Sequence, residues 1–337
     1  MFKTFLLRIL STLLLVLLPL AGQSASDKPL TPLRVGVLEF GTVSWELELI
    51  QNRELAKKRG IDLKIVPLAS ADASTIALQG GAVDMVVTDW IWVSRQRAES
   101  NLYSFVPFSD TVGAVMVKGD SGIRQLSDLK DKKLGVAGGP SDKTWLLLRA
   151  YAQRKLGVDL TQYAQPTYAA PPLLNELALR GQVDATLNHW NYAARLEVQG
   201  MHALIDVPEM LKGLGIEKPI PLLGWVFHED WANANSTAVK NFMAASYEAK
   251  AILASADAPW DSLRGKMRAE NDAVFKVLRA NFRAGIPTCS DPSSMAAVAA
   301  TFKILAETGG EKLVGKSRGL SPGTFWSGYA LPACKAS

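Results

Sequence analysis

Residues 81–90 read GAVDMVVTDW, and residues 181–190 read GQVDATLNHW. The two stretches share a glycine, a valine, an aspartate and a tryptophan, and an arginine continues the match at positions 95 and 195. Five identities at a constant offset of 100 exceed the roughly one coincidence that average composition produces in such a window. A short apolar run follows each G-x-V-D sequence, as in a buried strand. The chain is therefore predicted to contain two similar structural units.

The sequence around each repeat alternates strand and helix patterns. In the first copy, strands are predicted at 33–38, 63–68 and 83–88, with helices at 42–59 and 71–79. In the second copy, strands are predicted at 133–137, 165–168 and 183–188, with helices at 143–156 and 172–180. Such alternation is typical of parallel sheets covered by helices. The predicted fold class is α/β with two lobes, each a mainly parallel sheet flanked by helices.

Two further apolar runs predict how the chain connects the lobes. Residues 110–118 indicate a strand that crosses into the second lobe, and residues 222–227 indicate a return to the first. Lobe 1 is therefore predicted to comprise residues 33–109 plus 222–337, and lobe 2 residues 110–221. Two crossings form a hinge, because a few backbone torsions can absorb a closing motion.

The N-terminus has the pattern of a secretory signal peptide over residues 1–26. Lys3 and Arg8 precede an apolar run at 9–18, and small residues follow. A membrane anchor is the alternative, but the run is shorter than the ~20 residues that span a bilayer. Gln23 stands where a lipoprotein would have its lipidated cysteine. The prediction is export as a free, unlipidated protein to a bacterial periplasm.

Composition and motifs limit the classes of function. Without Lys3 and Arg8, 35 basic residues stand against 32 acidic ones, and no dense basic run is present, so a nucleic-acid partner is not expected. The three histidines lack metal-ligand spacing, and no nucleophile-and-base motif occurs. We therefore expect no metal, no cofactor, no catalytic residue and no enzymatic activity.

The chain contains two cysteines, Cys289 and Cys334. In an oxidising compartment two such residues usually pair, which predicts a disulfide that holds the C-terminal tail. Two unpaired buried thiols are the alternative.

The predicted architecture also indicates where a ligand binds. In open α/β sheets, ligands bind beyond the carboxyl ends of the strands, so four loops should line a cleft between the lobes. Each loop carries a tryptophan. We expected Trp90 to oppose Trp190 and Trp45 to oppose Trp145 about a pseudo-twofold axis, where they could hold a flat, apolar or quaternary-ammonium group. The candidate ligand-binding residues are Glu39, Thr42, Ser44, Trp45, Thr88, Asp89, Trp90, Ser141, Asp142, Thr144, Trp145, Asn188, His189 and Trp190.

Several alternatives stay open at these positions. The tryptophans could pack in the lobe cores, since Trp is highly buried on average. His189 could be a structural histidine, and Ser141 or Asp142 an ordinary helix cap. Helix starts favour an anionic ligand group, whereas Glu39, Asp89 and Asp142 favour a cation. The sequence does not decide the charge of the ligand.

Five stretches carry a resemblance to a known family. They are LRVGV at 33–37, ALQGGAVD at 77–84, LSDLKDKKLGV at 126–136, ALRGQVDA at 178–185 and the helix at 236–253. In these the chain resembles the periplasmic solute-binding proteins of nitrate/sulfonate/taurine-type ABC importers, including their thiamine-pyrimidine relatives. The resemblance implies a type II periplasmic-binding fold, capture of a small organic ligand by hinge closure, and delivery to a permease in the inner membrane.

The resemblance also implies site residues and a working unit. The family's ligand contacts fall in the loops after the first strand of each lobe and after the G-x-V-D strands. Such proteins usually act as monomers. An accessory or sensor protein that keeps the fold but serves a periplasmic enzyme system is the alternative.

Overall fold

The structure is a computed structural model that describes residues 29–140, 142–218, 220–289 and 294–334. The predicted signal peptide and Ser141 lie outside these residues. Within them, the strands form two five-stranded sheets. The first sheet contains β1 (Thr31–Leu38), β2 (Ile61–Leu68), β3 (Met85–Asp89), β4 (Tyr103–Ser109) and β10 (Leu223–His228); the second contains β5 (Ala114–Lys118), β6 (Lys133–Ala137), β7 (Gln165–Ala169), β8 (Ala185–Asn188) and β9 (Met201–Asp206).

The two sheets have the same topology. The first has the order β2-β1-β3-β10-β4 and the second β7-β6-β8-β5-β9. In the first sheet β1 pairs in parallel with β2 and β3, while β10 is antiparallel to β3 and β4. In the second, β6 is parallel to β7 and β8, while β5 is antiparallel to β8 and β9. Four of the five strands in each sheet thus run the same way, which confirms the predicted fold class.

The antiparallel strand of each sheet arrives from the other sheet. Strand β5 begins five residues after β4 ends, and β10 enters the first sheet after β9 and a helix. The two sheets are therefore joined by two chain crossings, one at residues 110–113 and one before Leu223.

Helices cover both sheets. Those along the repeats are α1 (Val43–Asn52), α2 (Ala71–Gln79), α3 (Trp90–Ala98), α4 (Lys143–Leu156), α5 (Leu160–Tyr163), α6 (Pro171–Leu179), α7 (Trp190–Val198) and α8 (Val207–Gly213). The C-terminal part adds α9 (Glu229–Ala234), α10 (Ser236–Ser255), α11 (Ala258–Asp261), α12 (Arg264–Met267), α13 (Asp272–Ala284), α14 (Ser294–Gly309) and α15 (Glu311–Val314). The predicted helix 42–59 was too long. It ends at Asn52, because Glu54 has a φ of 54° that an α-helix cannot contain.

The repeated G-x-V-D sequence has a structural role in both sheets. Gly81 and Gly181 have φ values of 68° and 69°, a left-handed conformation that glycine adopts without steric strain. The Asp84 carboxylate accepts a hydrogen bond from the Arg34 backbone N–H at 2.7 Å, and Asp184 accepts one from Lys133 N–H at 2.8 Å. Each aspartate thus connects the start of the third strand to the first strand.

A disulfide joins Cys289 to Cys334 across a sequence separation of 45. The predicted pairing is therefore present in the structure. The tail that it holds also bonds to the first sheet, because Phe105 N–H donates to the Thr324 carbonyl and Trp326 N–H to the Phe105 carbonyl. Among the helices of the described residues, none combines the length and the apolar character needed to cross a bilayer.

Candidate functional site

The loops that follow the strands of the two sheets meet in two pairs. At one end, the Trp45 and Trp190 rings contact each other edge to face with centroids 5.8 Å apart, and the Asn191 amide donates to the Phe40 carbonyl at 3.5 Å. This end joins the loop after β1 to the loop after β8. At the other end, Lys143 Nζ lies 3.9 Å from Asp89 Oδ2, which joins the loop after β6 to the loop after β3.

The expected tryptophan pairing was therefore wrong. Trp190 contacts Trp45 and not Trp90. When two similar halves are related by a twofold axis, a residue of one half contacts a different residue of the other half. The same contact then occurs a second time, with the roles of the two halves exchanged. The loop after the first strand of one sheet consequently faces the loop after the third strand of the other. Only residues on the axis itself would face their own counterparts.

A cavity of about 200 Å³ lies at the Trp45–Trp190 end. We call it the interlobe cavity. Its walls are formed by the loop after β1, by the first turns of α1 and α6, by the first two turns of α7, and by the end of α12 with the residues after it: Glu39, Phe40, Gly41, Trp45, Pro172, Asn191, Tyr192, Arg195, Lys266, Met267, Arg268 and Glu270. Of the residues proposed from the sequence, Glu39 and Trp45 are among these.

The walls of the interlobe cavity are both aromatic and charged. Arg195 Nε lies 3.1 Å from Glu270 Oε1, and Arg268 lies 3.9 Å from the Glu39 carboxylate. Burial raises the pKa of the Tyr192 hydroxyl, whereas the nearby arginines lower it, so the phenol stays protonated at neutral pH. The cavity can thus offer ring faces, a hydroxyl donor, carboxylates and guanidinium groups to a small molecule.

The other end of the interface contains two aspartates that cap helices. Asp89 caps α3 by accepting from Trp92 N–H, and Asp142 caps α4 by accepting from the N–H groups of Thr144 and Trp145. Burial lowers the pKa of His189; the Asp142 carboxylate raises it, and Lys143 lowers it. This histidine is therefore neutral at pH 7.

Trp90 and Trp145 lie at this end and have no exposed surface. Both belong to one core cluster that includes residues of the two sheets, and their rings pack near Phe302 and Tyr168. The indole Nε1 of each has no hydrogen-bond partner among the described residues. Contact of either ring with a ligand remains a prediction.

The other proposed residues have local roles. The Asn188 amide is buried and donates to the Pro171 carbonyl at 3.0 Å and to Asn175 Oδ1 at 2.9 Å, which connects β8 to α6. The buried Ser44 hydroxyl donates to the Gly41 carbonyl at 3.1 Å. Thr42 precedes α1 without a side-chain capping bond, and Thr88 is half-buried at the end of β3.

Tyr192 lies in the loop 188–192 that was predicted to line the cleft, but it is not among the candidate residues, and Arg195 and the wall from Lys266 to Glu270 were not predicted at all. Arg195 carried a usable signal, because it repeats Arg95 at the offset of 100. The 266–270 wall had none, since no repeat or motif marks that segment. In the described parts of the chain, no group of three or more His, Cys, Asp or Glu side chains is placed to hold a metal ion.

The two-sheet architecture is shared with solved structures of periplasmic binding proteins. Over 91% of this chain and 95% of the other, the structure is similar to the periplasmic aliphatic sulphonate binding protein SsuA from Escherichia coli, with a TM-score of 0.68 and 21% identity. The alkanesulfonate-binding protein SsuA from Xanthomonas axonopodis pv. citri, bound to MOPS, is similar with a TM-score of 0.67 and 19% identity, over 89% of this chain and 99% of the other. The periplasmic nitrate-binding protein NrtA from Synechocystis PCC 6803 is similar with a TM-score of 0.55 and 12% identity, over 75% of this chain and 69% of the other.

The chain belongs to the NMT1/THI5-like family, whose model matches residues 51–258. A comparison with curated proteins finds no match. The three similar structures are named as a sulphonate-, an alkanesulfonate- and a nitrate-binding protein, which agrees with the resemblance noted in the sequence.

Proposed function

We propose that this protein captures a small organic solute in the interlobe cavity and delivers it to an ABC permease in the inner membrane. One observation carries the proposal: the cavity is walled by loops of both sheets, with Trp45 on one side and Asn191 and Tyr192 on the other. Membership of the family and the periplasmic binding proteins of similar fold support it. The pattern of residues 1–26 supports export to the periplasm.

Capture requires the two halves to separate and close. Because both halves wall the cavity, a solute enters while they are apart and is enclosed when they meet. The crossing at residues 110–113 suits a hinge, since it is short and connects two separate five-stranded sheets. A solute that contacts both halves binds the closed form better, and this difference in affinity shifts the population towards closure. The permease then distinguishes the closed, loaded form.

The size and the walls of the cavity indicate what kind of solute it binds. Its volume of about 200 Å³ lies below the roughly 300–1,000 Å³ of drug-sized sites, so the solute is small. Aromatic walls from Phe40, Trp45 and Tyr192 suit a flat or apolar portion, while Arg268 and Glu39 suit a polar portion. Because a single chain forms both walls, we expect one solute to bind per monomer.

A second candidate is an accessory or sensor protein of the same fold that serves a periplasmic enzyme system. The burial of Trp90 and Trp145 favours it, because neither ring is exposed to a ligand. In neither case do we propose catalysis by this chain.

Native mass spectrometry of the protein purified from a periplasmic extract tests the proposal. We expect a co-purified small molecule at one per chain, and a smaller radius of gyration by X-ray scattering when that molecule is added back to stripped protein. Tyr192→Ala should weaken its retention at least about tenfold, since the change removes an aromatic wall. Tyr151→Ala, on α4 and outside the cavity, is the matched control. A folded protein that retains no molecule and does not compact with any of a broad metabolite panel would refute the proposal.

A further inference from the structure

Arg195 connects helix α7 to the segment between α12 and α13. Its Nη2 donates to the Met267 carbonyl at 2.8 Å, its Nε donates to Glu270 Oε1 at 3.1 Å, and its Nη1 donates to the Asn191 carbonyl at 2.6 Å. The side chain is only 12% exposed. Hydrogen bonds from a shielded guanidinium are stronger than those between neutral groups, because they are charge-assisted.

Helix α7 lies between two hydrophobic cores. Ala193 and Leu196 pack with residues of the second sheet, whereas Trp190, Ala194 and Val198 pack into the core of the first sheet. The second set recurs every four residues and forms one stripe that faces α13. Arg195 lies beside this stripe, where the helix of one half meets the other half.

The segment that Arg195 holds is the outer wall of the interlobe cavity. The segment comprises the end of α12 and the start of the link to α13; Lys266, Met267, Arg268 and Glu270 line the cavity, and all of these except Met267 are exposed. Arg268 has a φ of 49°, a left-handed conformation that is unfavourable for a residue with a side chain. The bond from Arg195 to the adjacent Met267 carbonyl therefore stabilises a backbone that would otherwise relax.

We propose that Arg195 is a positioning residue for solute capture, which fixes residues 267–270 as the outer wall and thereby holds the two halves closed. When the guanidinium releases the Met267 carbonyl and Glu270, the wall moves outward and α7 separates from α13. The solute enters and leaves past this segment. The inference rests on the proposed function for the identity of the cavity as a binding site, but the contact itself can be tested without a solute.

The test compares hydrogen exchange and X-ray scattering of Arg195→Gln with the wild type. We expect amides of residues 266–271 and of the α7–α13 contact to exchange at least about tenfold faster, since two charge-assisted bonds between the halves are lost. The radius of gyration should increase, and any co-purified molecule should be lost from the native mass spectrum. Arg149→Gln is the matched control, because Arg149 makes a two-point contact with Asp159 within the second half alone.

Two outcomes would overturn the inference. One is unchanged exchange at 266–271 in folded Arg195→Gln. The other is faster exchange spread evenly over the chain, which would show only a general loss of stability. If Arg195→Gln fails to fold, Glu270→Ala removes one of the two contacts and must accelerate exchange at the same residues by a smaller factor. A protein that never binds a solute but shows the local acceleration and the larger radius would refute the proposed function and leave the bridging role of Arg195 intact.

Discussion

Replacing Lys250 by methionine tests whether a buried ion pair behind the cavity wall stabilises the first sheet's core. Glu46 on α1 is 0% exposed and Lys250 on α10 is 2% exposed, and the two side chains form an ion pair. The Ser246 hydroxyl also donates to Glu46, and Trp225 Nε1 donates to Ser246 at 3.2 Å. Because α1 begins with the turn that carries Trp45, this pair anchors the helix of one cavity wall.

The expected magnitude follows from burial. Lys250→Met leaves a carboxylate in a dry core without a counter-ion, which should lower the free energy of unfolding by about 3–5 kcal/mol. Glu46→Met should cost a similar amount, since it leaves an ammonium group. The double variant should lie within about 1 kcal/mol of the wild type, because two apolar side chains replace two charges that are costly to bury. The coupling in this double-mutant cycle would then be several kcal/mol.

The cost of Lys250→Met should also depend on pH. Burial raises the pKa of Glu46, and Lys250 opposes that rise. Without Lys250, the pKa of Glu46 in the folded state lies further above its value in the unfolded state. At a pH between these two values, the folded protein holds a proton that the unfolded protein has lost. Stability is then highest below the unfolded pKa and is lost as pH rises through the folded pKa. The deficit relative to the wild type should be larger at pH 8 than at pH 5.

Urea unfolding followed by circular dichroism measures these differences. The matched control is Lys57→Met, which breaks an exposed Lys57–Glu54 pair of 2.8 Å and should leave the midpoint unchanged. A cost below about 1 kcal/mol for Lys250→Met at pH 8 would contradict the reasoning. So would a double variant whose cost equals the sum of the two single variants.

Three further predictions follow from the structure. Replacing Cys289 and Cys334 by serine should lower the free energy of unfolding by about 4 kcal/mol, the loop-closure value for a separation of 45, and an unchanged thermal midpoint would contradict this. Trp190→Ala should weaken binding of the co-purified solute by about 0.5–1.5 kcal/mol in calorimetry, because Trp45 loses its edge-to-face partner beside the cavity; retained affinity would exclude that role. Burial raises the pKa of Asp110 from 3.8 to about 6, so Asp110→Asn should stabilise the protein by up to about 3 kcal/mol at pH 7.5 and little at pH 4, and equal urea midpoints at pH 7.5 would refute it.

The sequence predicted the fold because its signals are local. Apolar runs of strand length, helices between them and the repeated G-x-V-D sequence each depend on neighbouring residues. The two copies of the repeat have the same structural roles. Gly81 and Gly181 adopt a left-handed conformation, and the aspartate of each copy accepts a hydrogen bond from the first strand. The predicted end of helix α1 was wrong for a reason that is also local. Glu54 has a left-handed backbone conformation that its residue type does not predict.

The site was predicted only in outline. The loops after the strands follow from the rule that ligands bind at carboxyl ends, and Glu39 and Trp45 do line the cavity. Which tryptophans face each other depends on the rotation between the two halves, which no local pattern encodes. Asp89 and Asp142 took the role of helix caps, a reading that the sequence had left open for Asp142.

By itself, the sequence determined two similar α/β units, their order along the chain and the loops that bound a cleft, because hydrophobic periodicity and turn residues act over a few positions. Only the tertiary structure decided that Trp45 meets Trp190 beside a cavity, whereas Trp90 and Trp145 are buried in a core cluster. It also decided that Arg195 meets residues 72 and 75 positions away. Such contacts arise from the docking of completed helices, and their partners are chosen by packing in three dimensions rather than by spacing along the chain.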